Sequence, residues 1–207
     1  MADTTTRYGF PYQEAADPPD GAALGEDLAE AVETSLGTVE DALDARLDLI
    51  EARMPRFTLK TGSTSRNTTT TLANDPDLAG IALEVGTYDI ECLIFFTTAA
   101  TTPKLKTQWG FTGTWNSSTR LCHGPGNTNV GTADVVTPST FRGYTTDAQE
   151  AVYGAAASGA YAAVLETVRG LVVTVAGNLS LKWAQSVSSA SATVIQPGSG
   201  FKVIKIA

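Results

Sequence analysis

The chain has 207 residues, a formal charge of −8 and an apolar fraction of 43%, with two cysteines and one histidine. That length allows one or two domains with a sizeable core, and nothing in the apolar fraction suggests disorder or a membrane protein. The charge is uneven: residues 1–55 carry 13 acids against Arg7, Arg46 and Arg53, whereas residues 56–207 carry 9 acids against 11 bases, so no basic face for nucleic acid is expected.

No stretch reaches the ~18 uninterrupted apolar residues of a membrane span, so no membrane insertion is expected. The opening MADTTTRYGF lacks the basic-then-apolar order of a secretory signal, which points to synthesis in the cytoplasm.

Residues 1–23 read as an extended arm. Prolines at 11, 18 and 19 disfavour helix at themselves and bias the residue before each to extended geometry. Tyr8, Phe10 and Tyr12 alternate as in a strand, placing three aromatic rings on one side, and aromatics of this kind are typical interface anchors. The expectation is a docking arm that orders on a partner.

Residues 24–55 read as one long helix. Leu24 starts an apolar stripe that continues through Leu28, Val32, Leu36, Val39, Leu43, Leu47, Ile50 and Met54, with steps from Leu28 of 4, 4, 3, 4, 4, 3 and 4. Eleven residues per three turns lies close to the natural helical period, so the stripe drifts little and any supercoil is weak. Other faces are polar or acidic apart from Leu49 and some alanines, so the stripe needs a cover, and copies of itself are the simplest one. The segment therefore reads as a coiled-coil stalk in a parallel oligomer. Glu26 and Asp27 near its start, and Arg46 and Arg53 toward its end, suit the helix dipole, and the two arginines could reach Asp44, Asp48 or Glu51 of a neighbour. Pro55 stops the helix.

From Arg56 the period changes to two. Strands are expected at 56–61, 68–73, 81–85, 87–98, 105–112, 160–168, 170–176, 178–186, 192–196 and 201–206, with turn chemistry at Asp75-Pro76, Gly86, Pro103, Gly177-Asn178 and Pro197-Gly198. About ten short strands with almost no helix make residues 56–207 a β-sandwich, most simply a jelly roll, so the fold class is mainly β with one long N-terminal helix. The span from Gly124 to Tyr144 reads as the longest loop. In the strand after Gly86, Tyr88, Ile90, Cys92, Ile94 and Phe96 face one way, while Asp89, Glu91, Leu93 and Phe95 face the other. That second face turns from acidic to apolar at Leu93, as expected where a sheet meets both a core and a neighbouring subunit.

Chemistry-bearing groups are sparse. Cys92 and Cys122 read as two buried thiols, with a disulfide between them left open. Cys122 and His123 supply two adjacent metal ligands at most, so no metal or other cofactor is expected. His123 is the sole histidine, Ser139 and Ser158 lie in no nucleophile elbow, and no phosphate loop or dinucleotide fingerprint occurs, so no catalysis is expected. The carboxylate pairs Asp75 with Asp77 and Asp147 with Glu150 read as solvated loop charges.

The opening TTRYGFPYQEAADPPDGAALGEDLAEAVE resembles the N-terminal signature of small virion proteins of phages that infect actinobacteria, described as head-fibre, decoration or minor tail proteins. The closing run GNLSLKWAQSVSSASATVIQPGSGFKVIKI resembles the last strands of the jelly-roll heads that follow such stalks, and similar heads of the tumour-necrosis-factor and complement globular-head type are homotrimers. The resemblance covers both ends and little of 98–160. It implies a non-enzymatic homotrimeric virion surface protein, a capsid decoration or head fibre, whose arm docks on the major capsid or tail protein while the head projects outward. The alternative it leaves is a minor tail or receptor-binding protein whose Trp109, Trp115 or Tyr144 stacks on the sugar rings of a host-surface glycan.

Overall fold

A two-residue rhythm of apolar side chains runs the length of the C-terminal three quarters of the chain, and in the computed structural model it folds into two stacked antiparallel sheets. The structure describes residues 3–4, 11–12, 21–116, 118–126, 139–144, 149–154 and 159–207. The chain divides into two units, residues 1–52 and 53–207.

In the first unit, β1 (Asp3–Thr4) and β2 (Pro11–Tyr12) pair antiparallel, with Asp3 opposite Tyr12. Tyr8 and Phe10 lie outside the described residues, and Tyr12 enters only through this backbone pairing. The helix α1 runs over Gly21–Arg53. With its start at Gly21, its first turn holds no acid and Glu26 and Asp27 fall in the second, while Arg53 sits in the last. Met54 lies just past the helix end, because a residue preceding proline disfavours helical geometry and Pro55 cannot donate to the ladder.

The second unit is built from β3 (Arg56–Leu59), β4 (Thr64–Arg66), β5 (Ala73–Asn74), β6 (Ile81–Leu83), β7 (Gly86–Thr98), β8 (Leu105–Phe111), β9 (Thr114–Trp115), β10 (Arg120–Pro125), β11 (Ser139–Tyr144), β12 (Ala151–Tyr153), β13 (Ala162–Val175), β14 (Gly177–Gln185), β15 (Thr193–Ile195) and β16 (Gly200–Lys205). The larger sheet runs β11-β10-β13-β7, then β16 and β3 along one stretch of β7 and β15 and β4 along the other, with β9 on β13. The smaller sheet runs β12-β8-β14, with β5 and β6 both on β14.

The two longest strands lie side by side at the centre. On β7, Tyr88, Ile90, Cys92, Ile94 and Phe96 are all buried, as their alternation predicts, and they meet Leu105, Trp109, Leu179, Leu181 and Trp183 from the smaller sheet in one core. On β13 the expected break at Arg169 is a bulge rather than a strand end. Pairing with β7 runs from Ala162 to Val168, shifts, and resumes at Leu171. Gly170 takes φ +63°, a left-handed conformation that glycine adopts without a Cβ clash. The Asp89 carboxylate holds the bulge by accepting the Gly170 N–H at 2.9 Å and the Arg169 guanidinium at 2.7 Å.

Two expectations need correction. Of the strand expected at 68–73 only Ala73 is extended, because the chain bends at Thr68, which takes φ +52°, and again at Thr71, and the edge strand lies earlier at Thr64–Arg66. Inside the expected loop 124–144, residues 139–144 form β11, paired along β10 from Arg120 opposite Tyr144 to Pro125 opposite Ser139. Cys92 and Cys122 are both free and buried. They flank the same residue, Glu166, from the strands on either side of β13. Two strand spacings put their Cα atoms about 10 Å apart, too far for a disulfide. Burial pushes the Cys122 thiol up to about 12 and raises Cys92 well above its ordinary value, so both stay protonated.

Candidate functional site

The apolar surfaces left uncovered are the features of this chain that ask for a partner. On α1, the stripe residues Leu28, Val32, Leu36, Val39, Leu43, Leu47 and Ile50 are all exposed, as is Met54 beyond its end. An exposed stripe of this length is far from the scattered single apolar residues of an ordinary surface.

The outer face of the larger sheet carries the second such surface. Strand register sets Phe141, His123, Leu165, Leu93, Gly200 and Leu59 side by side across six strands. Their in-strand neighbours Cys122, Glu166, Cys92 and Phe201 are buried in the core, so this row points away from it. Phe141 at one end is 70% exposed, and Leu59 and Phe57 at the other are 59% and 63% exposed. The His123 imidazole meets the Phe141 ring edge-on at 6.1 Å. Two hollows dent the face: one of about 140 Å³ edged by Phe57, Leu59, Leu93, Gly200 and Lys202, and one of about 300 Å³ edged by Leu93, His123, Pro125 and Leu165. One register step along, Leu121, Thr167, Glu91, Lys202 and Phe57 form a mixed row, and beyond it the Asp89–Arg169 pair lies beside Ile204. The change of character at Leu93 that the sequence shows on one strand is thus shared by its neighbours β10, β13, β16 and β3.

The three aromatic residues expected to meet a glycan separate in the structure. Trp109 is 2% exposed, packed edge-on against Phe201 at 5.4 Å, and offers no face to a sugar; that expectation is corrected by the alternation of β8, which points Leu105, Thr107 and Trp109 inward. Trp115 is half-buried and stacked flat on Phe111 at 4.5 Å, and Tyr144 is half-buried beneath the Arg120 guanidinium at 5.5 Å. They do not form one platform: Trp115 lies on β9 and Tyr144 on β11, on opposite stretches of the sheet edge beyond β13.

The sequence reading missed two buried polar clusters, each joining the two sheets. In the first, the Glu166 carboxylate of the larger sheet accepts the Tyr153 hydroxyl at 2.7 Å, the Thr107 hydroxyl, and the Arg120 guanidinium at 3.2 Å. Arg120 also donates to the Gln149 carbonyl at 2.6 Å, and both members of the ion pair have fully buried side chains. Burial, then the neighbouring Glu166 carboxylate, pushes the Tyr153 phenol well above its ordinary range, so it stays protonated and donates to Glu166. In the second cluster, at the other edge, the Lys60 amine contacts Asp75 Oδ1 at 2.9 Å, Asp77 Oδ2 at 3.1 Å and the Thr64 hydroxyl at 2.6 Å, while Trp183 Nε1 donates to Asp75 Oδ2 at 3.0 Å. Arg66 lies over the Trp183 ring at 4.3 Å and donates to the carbonyls of Ala73, Asn74 and Trp183. Burial lowers its pKa, against the opposing pull of Asp75.

The pair Asp75 and Asp77 is therefore not a pair of solvated loop charges: Asp75 is wholly buried and the two share one lysine. Asp147 lies outside the described residues, and Glu150 pairs with Lys106 at 3.2 Å on the surface. Only a charge set in an apolar strand, as in Glu166 between Leu165 and Val168, could have pointed to an interior role.

No protein-family model matches the chain, and no curated protein matches it. Among solved structures the chain is similar to two from infectious bursal disease virus. The Gx strain structure is 11% identical over 74% of this chain and 42% of its own, and the Gt strain structure 10% identical over 73% and 41%, each with a TM-score of 0.20. The chain thus spans less than half the length of either, and a likeness of this degree carries no argument about function.

Proposed function

We propose that the protein is a non-enzymatic structural component of a phage virion surface, self-associated through its helix and its β head. The observation that carries the self-association is the uncovered apolar surface present in both units: the α1 stripe, and the six-strand row ending at Phe141 and Leu59. Burying one Leu- or Phe-sized side chain is worth about 1.5–3 kcal/mol, so a few such residues per chain suffice to hold copies together. The helix serves as a stalk, with Arg46 and Arg53 reaching acids of a neighbouring helix.

A jelly-roll head is supported by the strand path. The strands β6, β7, β8, β10, β11, β12, β13 and β14 fall into the sheet orders β6-β14-β8-β12 and β7-β13-β10-β11, and among these eight the path changes sheet at every step except the β10–β11 hairpin, which is the winding of an eight-stranded double-sheet jelly roll. The phage setting and the number three rest on the resemblance of the terminal segments. The arm that contains Tyr8, Phe10 and Tyr12 anchors the trimer to a capsid or tail protein, as a decoration or head-fibre protein would be anchored. A second reading, glycan recognition by a tail protein, keeps only Trp115 and Tyr144 as half-exposed aromatics and loses Trp109.

The test is the absolute mass of the purified chain by light scattering. A mass of three chains is expected. A single-chain mass would overturn the stalk and, with it, the trimeric virion protein.

A further inference from the structure

The Lys60 cluster has the parts of a reaction as well as those of an ion pair. Its amine and the Asp75 carboxyl have fully buried side chains and lie 2.9 Å apart. Each oxygen of that carboxyl accepts an N–H: Oδ2 from Trp183 Nε1 at 3.0 Å, and Oδ1 from the backbone of Asp77 at 3.1 Å. A third group, the Asp77 carboxylate, lies 3.1 Å from the same amine and is partly open to solvent. A nucleophile in hydrogen-bond contact with the carboxyl it would attack, donors fixed on the acyl oxygens, and an adjacent acid-base group partly open to solvent are parts that acyl transfer needs.

We propose that Lys60 and Asp75 condense to an intramolecular amide, with Asp77 as the catalytic acid-base. One proton passes along the 2.9 Å contact from the ammonium to Asp75 Oδ1, leaving a neutral amine and a neutral acid. The Nζ lone pair attacks Cγ. The Nζ–Cγ bond forms and the carbonyl electron pair moves onto Oδ2, held by the Trp183 N–H. Asp77 takes a proton from the new cationic nitrogen and delivers it to the Oδ1 hydroxyl. The Cγ–Oδ1 bond breaks as the carbonyl re-forms, one water leaves, and Asp77 returns as a carboxylate that accepts the amide N–H. No oxidant, cofactor or second substrate enters. The amide ties the segment after β3 to the segment after β5, and so joins the two sheets covalently at the edge where the head begins.

This inference is independent of self-association and is read from one measurement on the full chain: its intact mass under denaturing conditions. The expected mass is one water below that of the sequence, with the peptide holding Lys60 joined to the peptide holding Asp75 after proteolysis. Lys60→Arg, which keeps the charge but has no nucleophilic amine, should return the full mass, as should Asp77→Asn. Wild-type protein at full sequence mass after prolonged incubation in its folded state overturns the proposal, whatever the variants do. A wild-type loss of water that persists in Asp77→Asn overturns the role of Asp77.

Discussion

Glu166 stands at the centre of the sandwich with three donors on its carboxylate and a free thiol on either side. A charge so placed contributes through completeness: with all its partners it costs little, and with one removed it leaves an orphan in a dry medium. Glu166→Leu leaves the Arg120 guanidinium buried without its counter-charge. The expected loss is about 3–5 kcal/mol, seen as a lower urea midpoint with an unchanged slope. Replacing Glu166 and Arg120 together by leucine and methionine should recover most of that loss, since an apolar pair of similar volume removes both charges at once. Double-variant stability no better than the single variant would mean that Tyr153 and Thr107, not Arg120, depend on Glu166. None of these roles follows from residue type alone. Lys60, Asp75, Arg120 and Glu166 are residues that normally stay in water, and only their partners on distant strands explain their burial.

At the scale of elements, the sequence is most readable where its period is longest. The alternation over residues 87–98 predicts β7 and its buried face residue by residue, and the eleven-residue stripe predicts α1 to within three residues at either end. Short edge strands are less readable. The pairs at β5 and β9, and the three residues of β12, take their extended form from a neighbour's ladder and carry no period of their own. The β13 bulge is a further case: Arg169-Gly170 reads as a break, yet Asp89 on the adjacent strand bridges it. The Gly170 N–H first, and Arg169 next, hold Asp89 below the ordinary carboxylate range. A depressed folded pKa means that the stabilisation is present above the unfolded value, near 4, and is lost as pH falls through the folded value. Asp89→Asn should therefore lower the urea midpoint at pH near 7, only slightly because the pair is exposed and screened, and the difference should shrink as the pH falls below about 4. A gap between variant and wild type that persists in acid would assign the effect to bulge geometry rather than to charge.

For the whole molecule the question is whether helix and head each contribute to association. A stripe about 45 Å long and one side chain, ~10 Å, across gives on the order of 450 Å². Six strands at ~4.8 Å spacing and about 20 Å of strand length give a head face of similar size. Either alone falls short of the roughly 800 Å² per partner that a standard interface takes, whereas the two together reach it. If both are used, a charge placed in either should weaken the assembly without touching the fold, because the residues concerned are exposed in the single chain. The variants are Leu36→Glu with Leu43→Glu on α1, and Phe57→Glu with Leu59→Lys on β3. Each pair should keep the wild-type circular dichroism signal of the β head and lower the mass measured by light scattering at micromolar concentration. Loss of association in the helix variant alone would leave the stalk as the sole contact and free the Phe141–Leu59 row for a different partner. Loss in the head variant alone would do the reverse, making α1 a surface for the particle rather than for its own copies.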